Sequence, residues 1–239
     1  MHEYYRKKSG KLRKEMEGFL KTISAELEKD TGRSFSDLNA EIWDLYEKEM
    51  LERFPYIGGD SAGGTKNLTG AFMLVAMGEV LKKYAVNMET IGYRMVQCFE
   101  SVFGKTPGIV RFILPRITGC SGLMTKVLTK RAEKAAANAA VNPGSFQTEA
   151  LPPNEKYSAI FHNTVCPLSD FAKAYGYEAY MPYLCNLDYV TASMLNIPLR
   201  RTHTCFEDGD YCDFLKFITK KVIIVLISLI LNIFLIFLL

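Results

Sequence analysis

The chain has 239 residues, 49% of them hydrophobic, and 29 Lys and Arg against 26 Asp and Glu give a formal net charge of +3. That length holds one good-sized domain with its own core, and so small a charge excludes the class that binds nucleic acid through a strongly basic surface. Residues 1–20 are basic and polar and lack the apolar stretch of an export signal, so the six cysteines are expected as thiols or metal ligands rather than disulfides.

In chain order, residues 1–29 read as a helix with a break near Ser9-Gly10. Leu12, Met16, Phe19, Leu20, Ile23 and Leu27 recur at spacings of three and four and form one apolar stripe. Arg6, Lys7, Lys8, Lys11, Arg13 and Lys14 make its start basic, which suits an anionic membrane surface or an ordinary solvated face. A second helix, roughly Leu38 to Arg53, is stopped by Pro55. The stretch 55–70, PYIGGDSAGGTKNLTG, carries Gly58, Gly59, Gly63 and Gly64. It lacks the GK[ST] ending of a phosphate loop and no strand precedes it, so it reads as a connecting turn or as a loop bordering a site.

Leu68–Tyr84 and Met88–Phe103 read as a helical hairpin, with Cys98 on an apolar face as a buried filler. After Thr106-Pro107-Gly108 comes a short apolar run to Pro115. A long Ala-rich helix over 117–141 follows, with Lys126, Lys130, Arg131 and Lys134 on its polar side and Cys120 expected in the core. From Ser145 the pattern shortens: a strand over Tyr157 to Thr164, a helix Pro167–Tyr175 ended by Gly176, a helix Leu184–Leu195, and strands Pro198–Phe206 and Tyr211–Ile218 joined at Glu207–Asp210. The fold class is α+β: an N-terminal helical platform, then a small antiparallel sheet with inserted helices. Residues 222–239, VIIVLISLILNIFLIFLL, hold only Ser228 and Asn232 as polar members. At roughly 1.5 Å per residue they span about 27 Å, enough for one C-terminal transmembrane helix. Lys216, Lys220 and Lys221 place the soluble domain in the cytoplasm.

The chemistry concentrates in 163–214. Cys166 ends a strand. Cys185 and Asp188, at i and i+3, share a helix face. Cys212 and Asp213 open a strand on opposite faces, and Arg200 and Arg201 split likewise, with His203 on Arg201's side. Three readings stay open. A Cys thiolate helped by His203 and an acid makes a nucleophile. Cys166, Cys185 and Cys212 with Asp188 or His203 make a ligand set of the kind that takes Zn²⁺, although the usual C-x-x-C pair is absent. Arg200 or Arg201 can hold a substrate carboxylate. The plain alternative makes the cysteines buried fillers and the arginines and His203 solvated.

The order Cys166-Pro, Gly176, Cys185-x-x-Asp188, Arg201-x-x-Thr204 and Gly209-x-x-Cys212-Asp213-Phe214 resembles the L-2-amino-thiazoline-4-carboxylic acid hydrolase family. Pro55-Tyr-Ile-Gly58-Gly59 with Asn67-Leu68-Thr69 is similar to it too, so the likeness covers roughly residues 35–217. More remotely, the layout resembles small-ligand-binding domains of the vinyl-reductase type. The chain divides into a basic amphipathic N-terminal helix 1–34, a hydrolase-like domain 35–217 that the resemblance covers, and an anchor 218–239 that lies outside it. It implies hydrolysis of a C–N bond in a small cyclic amidine-like substrate, opening the ring to an N-carbamoyl amino acid. On that reading Cys185 or Cys166 is nucleophile or ligand, Asp188 the base and His203 the proton carrier. Arg201, with Arg200, holds the substrate carboxylate, and Cys212, Asp213 and Asn163 line the site. The partners are a small-molecule substrate and the lipid bilayer, with no nucleic acid. A non-catalytic sensor tethered to the membrane and a ligand-free scaffold are the rivals.

Overall fold

A computed structural model describes residues 1–217. The expected span over 222–239 lies outside the described residues, and among those described no helix is long and apolar enough to cross a membrane. The architecture is α+β, helices first and then a small antiparallel sheet.

Helix α1, Glu3–Leu20, runs unbroken through Ser9-Gly10, and the interruption comes later, as a 3₁₀ turn at Lys21–Ile23 before α2, Ser24–Thr31. The apolar stripe does what its spacing requires: Leu12, Met16, Leu20, Ile23 and Leu27 are buried. The basic residues stay at the surface, several in exposed ion pairs such as Lys7–Glu3 and Lys11–Glu15. Helix α3, Phe35–Leu45, is capped by Ser34, whose hydroxyl accepts from the Asp37 N–H, and it passes into a π turn at Tyr46–Leu51. Helix α4, Gly64–Lys83, is buried on all sides over Met73–Gly78, as befits a helix apolar all round. It forms the axis around which α1–α3 pack, together with α5, Met88–Phe103, α8, Pro167–Tyr175, and α9, Met181–Met194. Phe54, Phe72 and Phe171 meet edge to face with ring centroids 4.6–5.8 Å apart, tying the π-turn exit and α8 to α4.

The apolar run before Pro115 is itself a helix, α6, Gly108–Thr118, and the long helix expected over 117–141 is shortened to α7, Ser121–Val141, by a break at Gly119-Cys120. Cys120 is exposed there rather than in the core. Four strands follow: β1, Gln147–Leu151, which the sequence reading missed; β2, Tyr157–Val165; β3, Leu199–Arg200; and β4, Cys212–Phe217. Their order is β1-β2-β4-β3, every neighbouring pair antiparallel. The expected strand Pro198–Phe206 is cut to two residues because the Asp213 carboxylate takes the N–H groups of Thr202 and His203 that a ladder would need. Helix α7 lies on one face of the sheet, where Met124 and Leu128 close a second small core over Ala159, Phe161, Ala150 and Phe214.

Candidate functional site

The register of β2 against β4 decides which chemistry meets. Asn163 stands opposite Cys212 and Phe161 opposite Phe214, so all four side chains share the α7 face, while His162 opposite Asp213 belongs to the other. The Phe161 and Phe214 rings stack in parallel with centroids 4.6 Å apart. The Arg131 guanidinium from α7 lies 5.1 Å from the Phe161 centroid, and that of Arg201 lies 5.6 Å from the Phe214 centroid. Two guanidinium groups thus stand over one aromatic floor, beside the Asn163–Cys212 row.

Cys212 is buried, and its sulfur accepts the backbone N–H of Cys205 at 3.1 Å. The Cys205 thiol lies against the same sulfur and donates to the carbonyl oxygen of Asn163 at 3.2 Å. The contact with the Cys205 side chain is the main cause that holds the Cys212 thiol below the ordinary cysteine range; burial opposes it, and the Cys205 N–H and the charge of Arg201 assist. Cys205 is correspondingly raised and stays the neutral partner. The two cysteines expected to be reactive behave in the opposite sense. Burial pushes Cys166, at the N-cap of α8, up to about 12 despite the N–H groups of Ser169 and Leu168. Burial pushes Cys185 on α9 up to about 11 despite Arg201. Both feel the charge state of Cys212, so the three thiols do converge, but the activated one is Cys212 rather than either expected nucleophile.

Asp188 and Arg201 meet, though not in their expected roles. Arg201 donates to the Asp188 carboxylate at 2.7 Å and to the carbonyl oxygen of Cys185 at 3.0 Å, which leaves its fork occupied rather than free for a substrate. The Asp188 side chain keeps a solvent-facing edge, yet protein atoms crowd it. Desolvation raises its carboxyl above the usual range, against the pull of Arg201 and Arg131. Arg200 is exposed on the edge strand β3, with no ion pair to its side chain among the described residues. His203 stacks on Tyr211 at 5.0 Å, and Tyr211 on His162 at 4.1 Å. Since His162 faces away from Cys212, that stack sets His203 on the side of the sheet opposite the Cys212 side chain. Asp213 is structural. Burial works to raise it, but the N–H groups of His203 and Thr202 and the Thr202 hydroxyl, at 2.6–2.7 Å, hold its carboxyl below the usual range.

Asn163 lines a cleft of about 530 Å³ between the 57–67 loop, α7 and the approach to β1. Other walls come from Gly63, Gly64 and Asn67, from Lys130, Arg131, Lys134 and Asn138, and from Ser145 and Thr148. The glycines are there for close approach. A Cβ on Gly58, whose φ is +107°, would collide with the Asn138 carboxamide, and one on Gly64 would collide with the Phe146 ring. Asn138 in turn donates to the carbonyl oxygen of Ile57 at 3.0 Å, pinning the loop to α7. The Thr148 hydroxyl donates to the Asn163 carboxamide oxygen at 2.9 Å and fixes it against the wall. The glycine stretch therefore borders this cleft.

Sequence reasoning passed over Cys205, Ser145 and the α7 side chains. Arg131, Lys134, Ala135 and Asn138 follow i, i+3, i+4, i+7 spacing, the signal that would have set the α7 cations on one stripe facing the glycine loop. Among the described residues no three His, Cys, Asp or Glu side chains are placed to hold a metal ion. What the arrangement can do is hold one thiolate on a shielded sheet face, beside a neutral thiol and two guanidinium groups, next to a basic cleft of small-molecule size. No curated protein matches the chain. Residues 117–215, from the last turn of α6 into β4, match the family model described as L-2-amino-thiazoline-4-carboxylic acid hydrolase, the family that the cysteine, glycine and arginine motifs resemble.

Proposed function

We propose that the chain is a hydrolase that opens a small cyclic amidine bearing a carboxylate, with L-2-amino-thiazoline-4-carboxylate as the test substrate. One observation carries the reading: the Cys212 sulfur, which accepts the Cys205 N–H, stands directly across the ladder from Asn163, a wall of the cleft. Atom balance corrects the bond assigned to the reaction. An N-carbamoyl-cysteine product keeps both nitrogens on the amidine carbon, so the bond that breaks in this substrate is carbon–sulfur rather than carbon–nitrogen. The Cys212 thiolate adds to the amidine carbon and the ring nitrogen gains a proton. The ring sulfur leaves with the carbon–sulfur electron pair and the ring opens. Water then adds to the same carbon, expels Cys212 as thiolate and leaves the urea oxygen. Cys205, held neutral against Cys212, is the nearest proton store. The net change is substrate plus one water.

The measurement is turnover of that substrate by the full chain, together with mass-spectrometric trapping of an amidino adduct on Cys212. Loss of turnover by at least about a thousandfold in Cys212→Ser fits a nucleophile; a wild-type chain that never turns the substrate over sinks the reading. A non-catalytic ligand-binding module is favoured by one observation, the mutual commitment of Arg201 and Asp188 with His203 on the far face, which leaves the expected acid–base set unassembled. Binding without turnover is its signature.

We also propose that residues 222–239 anchor the domain to a membrane, the domain facing the cytoplasm. The lysines at 220 and 221 support this, as does the apolar side of α6, where Ile109, Phe112, Ile113 and Ile117 are exposed.

A further inference from the structure

We propose that the cleft between the glycine loop and α7 is an oxyanion subsite that takes the carboxylate of a small organic acid, turning the rest of that molecule past Asn163 toward Cys212. The proposal rests on the hydrolase reading for the identity of the acid, and on independent observations for the site.

The first observation is uncompensated charge. Lys130, Arg131 and Lys134 all line the cleft and no carboxylate does. Among the described residues none of the three has an ion-pair partner, although eleven other pairs form on the same molecule. Arg131 is the best placed of them. Its guanidinium lies over Phe161, one row from the Asn163–Cys212 pair, and the crowding of protein atoms around it lowers the pKa of its cation while Asp188 opposes that from a distance. A planar fork in that position, with no hydrogen bond or ion pair among the described residues, matches a carboxylate.

The second observation is an orphaned polar atom. Ser145 is 2% exposed, lines the cleft, and its hydroxyl has no hydrogen-bond partner among the described residues. Buried hydroxyls are ordinarily satisfied, and an unsatisfied one beside a cleft points to a group that enters it. The third is the opposite wall, where Gly63 and Gly64 open α4, a helix of 20 residues with no side-chain cap on its first turn. The Thr65 N–H is taken by the Ala62 carbonyl, and the positive end of the helix dipole lies on the wall opposite the cations. Asn67, one turn in, adds a carboxamide. Cations, a hydroxyl, a helix N-terminus and no acid converge on a volume suited to a small oxyanion. Arg201 is less available for this role, because it already donates to Asp188 and to the Cys185 carbonyl.

Inorganic phosphate shares the oxyanion chemistry, so the experiment must separate it from a carboxylate. The full chain, carrying Cys212→Ser to stop turnover, is titrated calorimetrically with L-2-amino-thiazoline-4-carboxylate, with 2-amino-thiazoline, which lacks the carboxylate, and with inorganic phosphate. The expected result is binding of the acid, a loss of at least about tenfold without the carboxylate, and a similar loss in Arg131→Ala that Arg131→Lys partly restores. Lys134→Gln, an exposed change that leaves the fold untouched, should weaken the acid alone by several-fold. Equal binding of acid and decarboxylated analogue, or no change in either variant, overturns the subsite. So does phosphate binding as tightly as the acid and failing in the same variants. Failure of the hydrolase reading looks different: the wild-type chain binds the acid through Arg131 but does not turn it over. If turnover persists with KM unchanged in Arg131→Ala, the hydrolase stands and the subsite falls.

Discussion

Arg201 reaches Asp188 at 2.7 Å with a side chain only 5% exposed, while that of Asp188 is 49% exposed. The pair is therefore lopsided: the cation is sealed in and the anion is half in water. Removing the exposed partner costs little, because solvent screens it and Arg201 keeps the Cys185 carbonyl. Removing the sealed partner opens a hole over Phe214 and strips the Cys185 carbonyl of its donor. Asp188→Ala should cost about 1 kcal/mol and Arg201→Ala about 2–4 kcal/mol by urea denaturation. Equal losses in the two variants would contradict the asymmetry.

The thiols should sort by reactivity in the order their surroundings dictate. Cys212 is held low by Cys205, so its alkylation rate should rise with pH and level off below the midpoint of a free cysteine, about 8.5. Cys166 and Cys185, pushed up to about 12 and about 11, should stay slow through pH 9. Cys205→Ala should move the Cys212 profile upward. Iodoacetamide labelling read residue by residue checks this, and a Cys185 that labels first would reverse the assignment.

Much of this was legible in the sequence. Helix α5 ended where Met88 and Phe103 indicated, α8 where Pro167 and Gly176 did, because caps and breakers act locally. The sequence singled out Cys166, Cys185 and Cys212 within 163–214 and gave Cys205 no role. What could not be read was which of them is activated, since that depends on Cys205, seven residues from Cys212 in the chain and folded back by the Thr204–Asp208 turn. Strand β3 failed for the same reason: Asp213, ten residues from His203 in sequence, intercepts its backbone. The cleft needed two segments some seventy residues apart, Asn67 and Asn138 among them, and no periodicity within either reveals the other.

Asp213 makes a pH prediction whose sign follows from its hydrogen bonds. Its folded carboxyl is held below the unfolded value of about 3.9, so its contribution is complete above that pH. It is lost as pH falls through the lower folded value. Asp213→Asn keeps the shape but replaces an acceptor of three bonds with a carboxamide, and should cost about 2–4 kcal/mol at pH 7. The variant's deficit should shrink as wild type and variant are compared at pH 5, 4 and 3. A deficit constant across that range would mean that the charge on Asp213 contributes nothing.

The apolar run 222–239 should hold the full chain in membranes through carbonate washing, and truncation after Phe217 should release it. The expectation has a physical core: eighteen residues with two polar members cannot be left in water without aggregating, and Lys220-Lys221 gives the run a cytoplasmic end. The truncated domain keeps a second apolar feature, since Ile109, Phe112, Ile113 and Ile117 lie exposed on α6 next to Arg111 and Arg116. Such a face adds weak, salt-sensitive adhesion to anionic lipid rather than insertion. Flotation of the truncated domain with phosphatidylserine vesicles should therefore be partial at low salt and lost near 0.5 M, and Ile113→Glu should abolish it at any salt. A full chain that stays soluble removes the anchor, whereas a truncated domain that ignores the vesicles leaves the anchor intact and removes only the α6 contribution.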